Sequence, residues 1–85
     1  MSYTVTWSTD AESELAEAWL DAADRTDFSR AAAELEDELC LTPFRVGAQR
    51  ASSVNRYASR PPIGIVFDIV EDDKKVIVQA CWLGG

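Results

Sequence analysis

Ile63-Gly64-Ile65-Val66-Phe67-Asp68-Ile69-Val70 runs into Glu71-Asp72-Asp73-Lys74 and then into Lys75-Val76-Ile77-Val78-Gln79-Ala80-Cys81-Trp82. Two stretches rich in β-branched and aromatic residues flank a charged break, which is the pattern of two strong strands joined by a tight turn at Asp72-Asp73. Just upstream, Ser59-Arg60-Pro61-Pro62 marks a turn or extended break, and Val54 to Ala58 before it is a weaker strand. At the other end, Tyr3-Thr4-Val5-Thr6-Trp7-Ser8 alternates apolar and polar residues, predicting a strand with Tyr3, Val5 and Trp7 on one face. That strand has no hairpin partner nearby, so it must pair with a distant one.

The segment between has the other period. Thr9-Asp10-Ala11-Glu12 fits a capping box and opens a helix to about Asp24, with Ala11, Leu15, Ala18, Trp19 and Ala22 as its apolar stripe. Thr26 or Asp27 can cap a second helix to about Leu41, with Phe28, Ala31, Ala32, Leu35 and Leu39 inward; Thr42-Pro43 stops it. Residues 43–53 read as loop, Gly47 being free to take positive φ, and Gly84-Gly85 as a frayed end. The expected order is β-α-α-β-β-β in one domain, residues 1–85. This is an α+β fold with a two-helix hairpin on one face of an antiparallel sheet. Trp7 and Trp19 are assigned to the core. The two strong strands form a long apolar hairpin that, at a sheet edge, could pair with another chain or a second copy.

Composition narrows the chemistry. Eighty-five residues, 47% hydrophobic and 27% charged, suffice for one small core. There is no His, and Cys40 and Cys81 have no CxxC spacing, so His-based catalysis and the usual Cys/His zinc sites are out. The cysteines read as free buried thiols, with a Cys40–Cys81 disulfide as the alternative. Asp68, Glu71, Asp72 and Asp73 read as a charged turn rather than a cation site, and the helix acids as a solvated face; no metal or cofactor is expected. Met1-Ser2-Tyr3-Thr4 lacks the marks of a signal peptide and no apolar run is long enough to span a bilayer, so the expected setting is the cytoplasm.

The net charge of −7 is unevenly spread. Residues 1–44 carry eleven acids against Arg25 and Arg30, whereas residues 45–60 carry Arg45, Arg50, Arg56 and Arg60 and no acid. Phosphate affinity comes mainly from Lys and Arg, so the total argues against broad nucleic-acid binding, while the arginine band leaves room for one phosphate-facing patch. Trp82 either stacks on a base beside that patch or packs as a sheet residue against the helices, the latter being favoured.

The ordered set Tyr3-x-Val5-x-Trp7, Ala11-x-x-x-Leu15, Leu39-x-x-x-Pro43-x-x-x-Gly47, Arg56, Gly64-Ile65-Val66-Phe67-Asp68-Ile69, Glu71-Asp72-Asp73 and Val76-Ile77-Val78 resembles the RelE/ParE superfamily of toxin–antitoxin toxins over nearly the whole chain. Ala80-Cys81-Trp82 resembles the ending of plasmid-stabilisation-type members. The resemblance implies a cognate antitoxin and one of two activities: ribosome-dependent mRNA cleavage, or inhibition of DNA gyrase. For cleavage, metal-free attack of a 2′-hydroxyl would use Arg50 and Arg56 as catalytic cations, with Arg45, Arg60 and Trp82 holding the nucleic acid. The chain departs from the cleaving members at Gly64, where a strand Arg is common, and at Leu83-Gly84-Gly85, where a basic residue and longer tail are usual. A non-catalytic gyrase inhibitor, or a homologue retaining only an antitoxin-binding surface, is therefore the alternative. If catalysis operates, Arg50, Arg56 and Arg60 must converge in one patch free of carboxylates.

Overall fold

A computed structural model describes residues 2–84. The elements are β1 (Thr4–Trp7), α1 (Thr9–Asp21), α2 (Arg25–Leu41), a 3₁₀ turn (Pro43–Arg45), β2 (Ala48–Gln49), β3 (Asn55–Arg60), β4 (Ile63–Val70) and β5 (Lys75–Leu83). The α+β architecture and helical hairpin match the expectation from sequence; the short β2 emerges from the segment expected to be loop. One five-stranded sheet runs β1-β5-β4-β3-β2. It is mixed rather than antiparallel: β1 lies parallel to β5, Val5 opposite Val76 and Trp7 opposite Val78, while the other pairs are antiparallel. The helical hairpin leads into β2, which runs opposite to β1, and the three antiparallel reversals that follow bring β5 alongside β1 in its own direction, so the parallel pair is joined by a long connection, as such a pair needs. Both strong strands, β4 and β5, are interior, and β1 and β2 are the edges, so the long apolar hairpin is not a free edge.

Ser8, not Thr9, caps α1: its hydroxyl accepts from the Ala11 N–H at 3.1 Å, and the Thr9-x-x-Glu12 box is not used. Ser8→Ala should cost about 1 kcal/mol, read as a lower urea midpoint with unchanged slope. Arg25 closes the far end of α1, its Nε and Nη2 donating to the carbonyls of Trp19 and Leu20 at 3.2 and 3.0 Å. The Trp19 carbonyl also accepts from the N–H of the C-cap Ala22 at 3.4 Å, and both carbonyls belong to the last turn, whose oxygens lack the usual partner one turn on. Asp24 caps α2 by accepting from the Asp27 N–H at 3.0 Å, so α2 starts earlier than Thr26 or Asp27 would have set it.

Phe28, Ala31, Leu35 and Leu39 of α2 and Ala11 and Ala18 of α1 bury against Ile63, Ile65, Phe67 and Ile69 of β4 and Val76 and Val78 of β5. Along β5 the register slips by one residue. Val78 faces Phe67, Ala80 faces Val66, and Gln79 between them is the extra residue of a bulge. A bulge reverses which side chains point inward beyond it. Cys81 therefore turns into the core and Trp82 turns out. The bulge is pinned by Glu14, which accepts from the Cys81 N–H at 3.0 Å, and by Gln79 Nε2 on Asp68 at 3.0 Å. At the chain end, Gly84 is tied down by donating to the Pro62 carbonyl at 2.8 Å, and Gly85 lies outside the described residues. No helix is long and apolar enough to cross a membrane among the described residues.

Candidate functional site: the arginine band and the open face of the sheet

The sheet has one face under the helices and one open. Cross-strand partners share a face, so Arg56, opposite Phe67, and Arg60, opposite Ile63, point to the helix side. Arg56 is 8% exposed. Its guanidinium donates to three backbone carbonyls: Val46 at 3.2 Å, Gly47 at 3.3 Å and Ser53 at 3.4 Å. It thereby stitches the segment between α2 and β3 onto the sheet. Arg60 reaches α2, where Glu34 and Glu38 pair with it, while its Nε is buried without a partner.

Arg50 lies after β2 and is exposed, its Nη1 3.3 Å from Asn55 Oδ1. Arg45 ends the 3₁₀ turn and is in no ion pair among the described residues. It shares with Arg60 a cleft of about 370 Å³ whose walls include Leu35, Glu38, Gly47 and Ser59. Arg45 and Arg60 thus line one cleft together with Glu38, while Arg56, on the same face of β3 as Arg60, turns to the carbonyls that follow Arg45. Arg50 does not line that cleft, and the cleft is not free of carboxylates. Arg56 is committed to carbonyls, and Arg60 is neutralised by helix acids.

The open face carries Tyr57, Val66, Asp68, Ile77 and Trp82, and Lys75 is the one basic strand residue on it. Asp68 sits in its middle and accepts from Asn55 Nδ2 at 2.5 Å as well as from Gln79. Trp82, favoured from sequence as a residue packed on the helices, is 42% exposed on this face. Its indole lies over Gly64, where a Cβ would come within 2.3 Å of the ring. Gly64 is therefore accounted for by Trp82, and an Arg could not stand there without displacing the indole.

Trp19 is also outside the core, at 40% exposure. Its Nε1 donates to Ser29 at 3.1 Å, joining α1 to α2, and the Arg25 guanidinium lies 4.9 Å above its ring centre. The stripe reading of α1 missed a second apolar row, Ala16-x-x-x-Leu20, which is legible in the sequence at helical spacing. Neither cysteine is bridged, and burial, with the Glu14 carboxylate adding, pushes the Cys81 thiol up to about 11. That excludes a ready thiolate there at neutral pH. No group of three or more Asp, Glu, Cys or His side chains is placed to hold a metal among the described residues.

No protein-family profile matches the chain, and no curated protein does. Solved structures do match over 98% of its length. A chain of the toxin–antitoxin complex RelBE2 of Mycobacterium tuberculosis has a TM-score of 0.75 at 16% identity, with 92% of that chain covered. The chromosomal ParDE toxin–antitoxin system of P. aeruginosa gives 0.70 at 12%, with 97% covered. The isolated RelE toxin of E. coli gives 0.70 at 13%, with 85% covered. At these identities the likeness is one of architecture, and it joins what the order of elements implied: this chain takes the fold that RelE and ParE toxins share.

Proposed function

We propose that the chain is the toxin-fold member of a toxin–antitoxin pair in the cytoplasm, and that it works by binding rather than by cleaving mRNA. The observation that carries this reading is the engagement of Arg56 and Arg60, two of the four arginines of the band. Cleavage through a 2′-hydroxyl needs a base for the hydroxyl and free cations for the charge that develops on the phosphate. Arg56 is spent on three carbonyls and Arg60 on Glu34 and Glu38. The open face presents the Asp68 carboxylate at its centre, which repels a phosphate chain.

The test is a translation extract programmed with one mRNA, supplied with purified chain at the concentration of ribosomes, with 5′ ends mapped. Intact message is expected. Cleavage inside codons, abolished by Arg50→Ala or Arg45→Ala, would restore the endonuclease reading. Gyrase supercoiling measured with the same preparation reports on the other toxin activity. Co-expression with the product of the adjacent reading frame should co-purify a stoichiometric partner; failure of any neighbouring product to associate would count against the pair.

A further inference from the structure

The open face of the sheet holds a run of apolar surface that nothing in the chain covers. Tyr57 is 47% exposed and Trp82 42%, and Val66 and Ile77 beside them are half-buried. Tyr57, Val66 and Ala80 form one row across β3, β4 and β5, and the Trp82 indole lies over Gly64 in the next. Contiguous apolar surface of this kind marks an interaction site. β4 and β5 are interior strands, so whatever covers them must lie flat on the face rather than add to an edge.

The charge of the face differs from that of the whole chain. Of fifteen acids, eleven lie in the helical hairpin on the other side of the sheet, and Glu71, Asp72 and Asp73 lie in the turn beyond its end. Asp68 alone stands on the face. Its diagonal neighbour across β4 and β5 is Lys75, since Asp68 is opposite Ile77 and Lys75 opposite Val70. Neither is in an ion pair among the described residues. Asp68 accepts from the Asn55 and Gln79 amides, and Arg50 stands at the rim beside Asn55. An otherwise strongly acidic protein thus has one face that is apolar and carries one charge of each sign from its strands.

We propose that the open face is a dimer interface. A second copy of this chain packs on it sheet to sheet, Tyr57, Val66, Ile77 and Trp82 of both copies forming one apolar layer and Asp68 of each meeting Lys75 of the other. Charge complementarity selects a second copy: under a two-fold axis lying in the face, an Asp68–Lys75 pair formed once is formed twice. The same arrangement turns the acidic hairpins outward. They stand roughly 30 Å apart, three layer spacings, which is several screening lengths at physiological salt. Two copies of one twisted sheet also share the twist that aligned sheet packing requires. Across β1, β5, β4 and β3 the face is roughly 20 Å wide and about as tall. That is small for a specific interface, so the dimer is a reversible, micromolar one rather than a permanent one. It uses only this chain's own face, and so stands whether or not the chain has an antitoxin.

The test is sedimentation equilibrium of the purified full chain over a concentration series, with amide NMR shifts followed on dilution. A monomer–dimer equilibrium is expected, its dilution shifts centred on Tyr57, Val66, Ile77 and Trp82. Lys75→Glu should weaken the dimer at least about tenfold, because symmetry sets a like charge against Asp68 twice. Tyr57→Lys should weaken it at least about a hundredfold by placing two cations in the apolar layer. Leu20→Lys, on the exposed hairpin surface, should leave it unchanged. Circular dichroism checks that each variant is folded, and the dilution shifts of the unaltered chain need no variant at all. A monomer at about 1 mM would overturn the dimer outright. So would dilution shifts confined to Leu15, Trp19, Leu20 and Ala32, loss of association in Leu20→Lys, or undiminished association in folded Tyr57→Lys or Lys75→Glu.

Discussion

Arg56→Ala should destabilise the protein by about 3 kcal/mol, a large share of the roughly 5–15 kcal/mol that holds a small domain folded. The side chain sits between the sheet and the loop that follows α2, and its three donors meet the carbonyls of Val46, Gly47 and Ser53. Truncation leaves those oxygens without their cation, and removes the aliphatic stem that packs beneath them. A guanidinium presents its donors in a planar fork, whereas an ammonium is a point donor, so Arg56→Lys should recover only part of the loss. Urea unfolding followed by circular dichroism measures both variants. A catalytic arginine would show the opposite pattern, activity lost with stability kept. A loss under about 0.5 kcal/mol would mean that the guanidinium is free for other work.

Gly47→Ala should be at least as costly, on the order of 3–4 kcal/mol, for two reasons that add. Gly47 has φ +64°, a conformation that costs a residue with a Cβ about 1 kcal/mol or more. The new Cβ would also fall 1.9 Å from the Tyr57 carbonyl oxygen and 2.9 Å from the Ala58 Cα. These are backbone atoms of β3 and have no rotamer to escape into, so the segment before β2 must lift away. Lifting it would also withdraw the Val46 and Gly47 carbonyls from Arg56, coupling the two sites. For a domain of this size the expected fall in melting temperature is roughly 12–32 °C. A fall of less than about 5 °C would show that the loop repacks at little cost, and would weaken the structural role given to Arg56 as well.

Proximity along the chain separates what was legible from what was not. The β4–β5 hairpin, the two helices and their common face could be read because each is written in the spacing of neighbouring side chains. The candidate site was legible only as a composition, four arginines without an acid. Whether those arginines were free depended on partners far off in sequence: Glu34 and Glu38 lie 26 and 22 positions from Arg60.

Trp82 shows the same limit on a smaller scale. Strict alternation from Val76 and Val78 would carry Trp82 inward, and nothing local announces that Gln79 is an extra residue. The bulge exists because Glu14 and Asp68, brought there by α1 and β4, hold it. Periodicity was thus enough to establish an α+β chain with an acidic helical hairpin and a basic band. The parallel docking of β1 on β5, the reversal at Gln79 and the engagement of Arg56 and Arg60 came only with assembly. Each of these is a choice among hydrogen-bonding and ionic partners distant in the chain, settled by which set of buried groups can all be satisfied at once.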